Sequence, residues 1–307
     1  MRSCTFTLRV MGSQQAVTRS LTQSLLLGLV AGSLTACGDG AIPNAPSATP
    51  GPLTETYETA DITFHFGFGD SVNAPWQQAF HEWATTLLGV SPHAKVQYYK
   101  YRSEAEAREF SGADYRSWAD ISTFSIHTPD PQHGHEAIHL YTSLIGWPSD
   151  YFLEGLAVGL NLDPFTGAGP FYVNITDDNA HALSQRALLR GGLIPIESIV
   201  ESDTFWTRPE TATYPQAGSF VNFIFQEYGV DKLRALTSGI SHSASRQTIM
   251  RVFETIYGFP LPEAERRWHE FLRQWQFSRE GLTIRRASHN VRFRQYRIPP
   301  GAEGRWP

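Results

Sequence analysis

The stretch Gly134-His135-Glu136-Ala137-Ile138-His139-Leu140-Tyr141, answered downstream by Leu153-Glu154-Gly155-Leu156-Ala157, decides how the rest of this 307-residue chain is read. On a helix, residues four apart share a face, so His135 and His139 can grip one metal ion while Glu136 flanks it. The spacing predicts a helix over 134–145 that stops at Gly146-Trp147-Pro148, because proline cannot continue it. Ser149 or Asp150 can cap a second helix, which places Glu154 in its early turns and returns a carboxylate to the same ion. Two histidines and one glutamate on a tetrahedral zinc ion (Zn2+) leave one position open for water.

The three side chains sit in stretches as apolar as Ala137-Ile138-His139-Leu140-Tyr141 and Phe152-Leu153-Glu154-Gly155-Leu156-Ala157-Val158. Unpaired charge would be costly there, so solvated surface histidines and a free carboxylate explain the pattern poorly. The H-E-x-x-H pattern alone is short enough to arise by chance on any helix. Glu154, with small Gly155 and Ala157 allowing close helix packing, makes the set more specific. With three protein ligands, zinc acts as a Lewis acid and brings the pKa of its water toward roughly 7. Glu136 is the natural general base on that water, passing the proton to the departing amine.

Working outward, Ile62-Thr63-Phe64-His65-Phe66 alternates as a strand does, and the folded part is expected to begin near Thr59. Pro75 opens an apolar-periodic helix through Phe80, Trp83 and Leu87-Leu88. A second strand over 96–101, a helical piece over 104–110 and a third strand over 121–127 follow. This β-α-β-α-β-α order predicts a small mixed sheet backed by helices. Beyond Asn161 the pattern turns helical, over 179–189, 214–228, 231–237, 245–257 and 262–275. The expected class is α+β, with a sheet and metal helix to about residue 146 and a mostly helical part to about 280. Residues 281–307 are expected to be a basic arm, in which the segment from Arg285 to Arg297 mixes arginines with apolar Val291 and Phe293. It either lies on an acidic body or touches anionic lipid.

The N-terminus has an export pattern. Arg2, Arg9 and Arg19 precede an apolar run from Leu21 to Val30, too short to span a bilayer. Leu34-Thr35-Ala36-Cys37 resembles the bacterial lipobox, in which the cysteine becomes the lipidated first residue; an ordinary secretory signal is the alternative. Cleavage after Ala36 removes Cys4 and leaves Cys37 as the sole cysteine, so no internal disulfide forms. Met11 would serve as initiator as well as Met1. Residues 37–58 are expected to be a tether, rich in Pro, Gly and Ala through Pro52, that holds the domain roughly 20 to 30 Å or further from a membrane. By analogy with bacterial lipoproteins, Gly38 rather than Asp after the cysteine favours the outer membrane.

The apolar content of 41% and aromatic content of 13% suffice for a sizeable core. The formal charge is −5, and without the first 36 residues 22 basic face 30 acidic residues, a net −8 that argues against nucleic acid as a partner.

The two metal motifs resemble those of the gluzincin zinc metallopeptidases, and more closely the compact bacterial domains described as peptidase-MA-like, where H-E-x-x-H precedes an E-G-x-A helix. Leu189-Arg190-Gly191-Gly192-Leu193-Ile194-Pro195-Ile196, Tyr214-Pro215-Gln216-Ala217-Gly218-Ser219-Phe220-Val221 with Glu227-Tyr228-Gly229, and Phe253 to Gly258 with Glu265 to Trp268 are similar to flanking elements of those domains. The resemblance implies a zincin-like fold, peptide-bond hydrolysis, and a substrate strand beside an edge strand, for which Thr123 to His127 is the candidate. Two features depart from it. Thermolysin-type members carry an Asp where this chain has Val158, which leaves Asp150 or Asp163 to orient a zinc histidine. The Gly-x-Met-Glu-Asn signature of the aminopeptidase branch is absent, which argues against amino-terminal trimming. Tyr214 is the candidate oxyanion donor or else a packed tyrosine. His127 and His133 are expected in loops, His133 as a lesser candidate for substrate contact.

These residues support an envelope-facing, lipid-anchored zinc metallopeptidase acting on a peptide or protein substrate. A catalytically silent relative that keeps the metal as a staple for binding or assembly, and a binding module without metal, are the competing expectations.

Overall fold

The computed structural model describes residues 53–112, 116–160 and 180–275. The lipobox with Cys37, most of the tether, Asp163 and the basic arm lie outside the described residues. What is described is mixed α and β: a five-stranded sheet followed by a helical region. No described helix is long and apolar enough to cross a membrane.

Strands β1 (Glu55–Glu58), β2 (Ile62–Phe66), β3 (Val96–Lys100), β4 (Trp118–Asp120) and β5 (Ser125–Thr128) lie in the order β1-β2-β3-β5-β4. β2, β3 and β5 run parallel, and each edge strand is antiparallel to its neighbour. The sheet therefore begins ahead of Thr59, because Glu55 to Glu58 pair with β2 rather than continuing a tether.

The expected strand over 121–127 is also divided. The Asp120 carboxylate accepts hydrogen bonds from the backbone N–H groups of Ser122 and Thr123, turning the chain between β4 and β5. That hairpin makes β5 an interior strand, so Thr123 to His127 is not the sheet edge; β4 is.

One sheet face packs Ile62, Phe64, Val96, Tyr98, Ala119 and Ile126 into the core. Helices α1 (Ala74–Leu88) and α3 (Gly134–Ser143) contribute to the same core. Across the other face His65, Tyr99, His127 and Trp118 stand in register, with neighbouring ring centroids 4.6, 4.7 and 4.5 Å apart. His127 is thus a strand residue, hydrogen-bonded to the Tyr101 hydroxyl (2.8 Å) and Ser125 Oγ (2.8 Å). The short helix α2 (Glu104–Ser111) follows β3, with the Ser103 hydroxyl accepting from the Glu106 N–H at its start.

Helix α4 (Asp150–Leu160) is buried along its whole length. After it come α5 (Ala180–Leu189), α6 (Ser202–Phe205), α7 (Glu210–Tyr228), α8 (Val230–Gly239), α9 (Arg246–Tyr257) and α10 (Leu261–Gln274). A Cβ on Gly155 would stand 2.6 Å from Val221 Cγ2, and one on Gly159 would stand 2.7 Å from the Gly218 carbonyl oxygen. Helices α4 and α7 therefore touch almost backbone to backbone, which only small side chains permit.

A buried polar network ties this region together. Trp268 Nε1 donates to Ser219 Oγ (3.0 Å), which lies 2.8 Å from His181 Nδ1. His181 Nε2 reaches Asn222 Oδ1 (3.0 Å), and Asn222 Nδ2 donates to the Gly159 carbonyl (2.7 Å). Since Asn222 Oδ1 only accepts, His181 carries its proton on Nε2, and the Ser219 hydroxyl donates to Nδ1. Helices α4, α5, α7 and α10 are locked by one neutral imidazole.

Burial pulls the pKa of His181 down to about 4, against a smaller upward pull from the Asn222 hydrogen bond. A histidine depressed in the folded state gives stability that is whole above its unfolded pKa near 6.5 and is lost as pH falls from there through about 4. For His181 the full loss is roughly 3 kcal/mol, at about 1.4 kcal/mol per pKa unit. Denaturant unfolding should show stability falling between pH 7 and 4.5. A His181 ring that titrates near 6.5 by NMR in the folded protein would refute this account.

Candidate metal centre

Helix α3 has a rigid start. The backbone of His133 is clamped by the buried Gln77 of α1, whose Oε1 accepts from the His133 N–H (2.8 Å) and whose Nε2 donates to its carbonyl (3.3 Å). His133 then caps α3, its Nδ1 accepting from the Glu136 N–H. It is a buried helix cap rather than a loop residue that contacts substrate, and burial pushes its pKa well below the usual range. At the other end, Ile145 and Gly146 N–H both turn back to the Thr142 carbonyl, so the helix closes at Ser143, short of Ile145.

The four-residue spacing brings the histidines together as expected. His135 Nε2 and His139 Nε2 lie 3.1 Å apart. The carboxylate of Glu154, delivered by α4, places Oε2 3.1 Å from His135 Nε2 and 3.5 Å from His139 Nε2. Donor atoms around a four-coordinate ion with bonds of about 2.0–2.1 Å stand roughly 3.3 Å apart, so this triangle matches such a cage. All three residues are buried, and together they can hold a metal ion. A triangle of donors on one side leaves the other side of the ion for a further ligand.

Without an ion the triad behaves as an ion pair. Burial disfavours a charge on His139, but the Glu154 carboxylate outweighs it and lifts the pKa to about 9. Glu154 likewise is raised by burial, yet its two histidine partners bring it far below the usual carboxylate range. Glu136 is the converse: burial raises its pKa, more than the neighbouring histidines and a hydrogen bond from the Ala119 backbone lower it. The Ala119 contact sets Glu136 against edge strand β4.

Tyr214, on the second turn of α7, lies 6.2 Å from His135 with nearly parallel rings (11°). Phe205 and Trp206 back it at 5.7 and 5.8 Å. Its ring is therefore packed, and it is packed against the triad.

Asp150 is not the partner that orients a triad histidine. Its Oδ1 faces His242 Nε2 (2.9 Å) and its Oδ2 accepts from Trp206 Nε1 (2.7 Å), so it reaches His139 only through its field. Nor does α4 receive a side-chain cap from either expected residue. Asp150 is engaged as described, and Ser149 Oγ has no hydrogen-bond partner among the described residues. The Val158 position is filled by packing: its side chain abuts Gly218 of α7. His242, Trp206 and Ser202 are contributors that no local sequence pattern indicated. Ser202 Oγ accepts from the Asp150 N–H (3.0 Å) and donates to the His242 carbonyl (2.9 Å).

Compared with protein-family models and with curated proteins, the chain matches none.

Because a coordinating imidazole must be neutral, metal binding has to displace the His139 proton. With a metal-free pKa of about 9, His139 carries that proton at pH 7. Stability contributed by its raised pKa is whole below the unfolded value near 6.5 and is lost as pH rises through about 9. Calorimetric titration with Zn2+ at pH 7, in buffers of different ionisation enthalpy, should report release of about one proton, vanishing near pH 10. Zinc binding without proton release at pH 7 contradicts this assignment.

Proposed function

We propose that this chain is a zinc-dependent peptide-bond hydrolase with a zincin-like arrangement, using His135, His139 and Glu154 as ligands and Glu136 as general base. The observation that carries the proposal is the convergence of three buried donor atoms at 3.1, 3.1 and 3.5 Å, with a second carboxylate, that of Glu136, alongside. Zinc bound there would supply Lewis acidity to a carbonyl and bring the pKa of water toward roughly 7.

Glu136 takes a proton from the attacking water and hands it to the departing amine. Its raised pKa suits that exchange, since a stronger base accepts the proton more readily. Strand β4, rather than Thr123 to His127, offers the backbone edge along which an extended peptide would lie next to Glu136. Tyr214 supplies the hydroxyl for the developing oxyanion, its ring held between His135 and the Phe205–Trp206 pair.

The burial of all three ligands also favours a second reading, in which the ion is a staple in a catalytically silent binding or assembly protein. A Glu136→Gln variant separates the two. The hydrolase should keep its zinc and lose peptide cleavage by 100-fold or more, about the contribution of a general base. Cleavage undiminished in that variant excludes Glu136, and zinc-loaded parent protein that cuts nothing in a broad peptide library favours the staple.

We further propose that Cys37 carries the lipid that attaches the protein to a bacterial envelope membrane, the outer one where two exist. The support is the Leu34-Thr35-Ala36-Cys37 pattern and the Pro- and Gly-rich stretch after it. A Cys37→Ser variant expressed with its own leader should move from the membrane to the soluble fraction. Unchanged membrane recovery of that variant removes the anchor.

A further inference from the structure

Asp150 is buried at the start of α4, and three remote parts of the chain hold it. Its backbone N–H donates to Ser202 Oγ (3.0 Å), its Oδ1 lies 2.9 Å from His242 Nε2, and its Oδ2 accepts from Trp206 Nε1 (2.7 Å). These partners stand 52, 92 and 56 residues downstream, so the arrangement exists only in the folded chain. A carboxylate withdrawn from water to this degree needs both charge and hydrogen bonds to meet it.

Asp150 reaches the metal centre through a chain of rings. The Trp206 and Tyr214 centroids lie 5.8 Å apart at 63°, and Tyr214 lies over His135 at 6.2 Å and 11°. Trp206 has little else to orient it. It follows α6, a helix of four residues that is too short to be stable by itself, and it is only partly buried. Packing against Phe205 (5.1 Å) and Tyr214 is weakly directional, whereas a hydrogen bond fixes both distance and angle. The bond from the indole N–H to Asp150 therefore sets the tilt of the ring that backs Tyr214.

His242 completes the arrangement as the charge partner. Asp150 of α4 and Asp203 of α6 are the acids whose fields it feels. Its hydrogen bond to Asp150 raises its pKa against a downward pull from burial, and the charges of Asp150 and Asp203 add to the rise. A histidine raised in the folded state gives stability that is whole below its unfolded pKa near 6.5 and is lost as pH rises through the folded value. Once that proton leaves, the buried carboxylate holding Trp206 has lost its counter-charge.

We propose that Asp150 and His242 are positioning residues for Tyr214: their pair orients the Trp206 indole, and the indole seats the Tyr214 ring over His135. Neither residue acts on substrate. Any effect on rate rests on the hydrolase reading, in which the Tyr214 hydroxyl meets the developing oxyanion, whereas the seating of the ring does not.

The test uses the full zinc-loaded chain with ring-13C tyrosine and indole-15N tryptophan, the Tyr214 and Trp206 signals being assigned by their loss in Tyr214→Phe and Trp206→Phe. At unchanged zinc content, Asp150→Asn and Trp206→Phe should each shift the Tyr214 signal. The Trp206 signal should titrate with pH in the parent, with a midpoint above 6.5, and the titration should vanish in His242→Gln. For peptide cleavage, Trp206→Phe keeps the ring and removes the N–H, so kcat should fall about tenfold with KM unchanged. In a Tyr214→Phe background the same substitution should cost nothing further, because both act through one hydroxyl.

A Tyr214 signal indifferent to Asp150→Asn and Trp206→Phe overturns the positioning role, as do losses in kcat that multiply in the double variant. A parent chain that cleaves no peptide retires the hydrolase reading, and the Tyr214 signal alone then decides the seating.

Discussion

The burial of the Glu154 carboxylate against two imidazoles is the constraint around which the described structure is arranged. A carboxylate removed from water is expensive unless positive charge meets it, and here that charge comes from His135 and His139 or from an ion between them. Neither helix could present such a group alone. Helix α3 supplies the histidines on one face, and α4 is buried from end to end, so its only long acidic side chain beyond the first turn is directed inward. A protonated His139 holds the site together without metal, and the same proton is what a metal must displace.

Position is secured from both sides. Toward the sheet, Gln77 grips the His133 backbone and His133 caps α3, so the first turn of α3 is fixed ahead of the two histidines of the triad. The Ala119 backbone of edge strand β4 faces Glu136. Toward the helical region, the contact of Gly155 and Gly159 with α7 draws α4 close enough for Glu154 to reach the histidines, and brings the Tyr214 ring over His135. The site therefore forms where the α/β part meets the helical part. The sheet side contributes Glu136 and the two histidines, and the helices contribute Glu154 and the rings of Tyr214 and Trp206.

An outer set of polar contacts ties distant loops to this arrangement. Asp150 opens α4, and its two oxygens engage His242 before α9 and Trp206 after α6, while Ser202 links the Asp150 N–H to the His242 carbonyl. Trp206 in turn backs Tyr214. A charge at the start of α4 is thus connected, through one indole, to the aromatic ring beside the metal ligands. These contacts order the wall of the site without touching the ligand atoms.

Local rules settled much of this in the chain itself. The i, i+4 spacing of His135 and His139 follows from helix geometry, Pro148 forbids the metal helix from continuing, and the apolar periodicity of the later helices holds to within a few residues. Gly155 and Ala157 beside Glu154 signalled close packing. Other features needed the third dimension because their partners are remote in sequence. Asp120 breaks one apolar run into β4 and β5, and only strand pairing reveals that β5 is interior and β4 the edge. His127 and His133 have no distinguishing neighbours in sequence, yet one stacks within the sheet and the other caps α3. Asp150 faces His242 and Trp206 rather than a ligand, because helix packing and not spacing decides which charges meet. The sequence determined which side chains could share a helix face, since that depends on a fixed rotation per residue. Which faces meet depends on how whole elements exclude water together, and only the tertiary structure decided that.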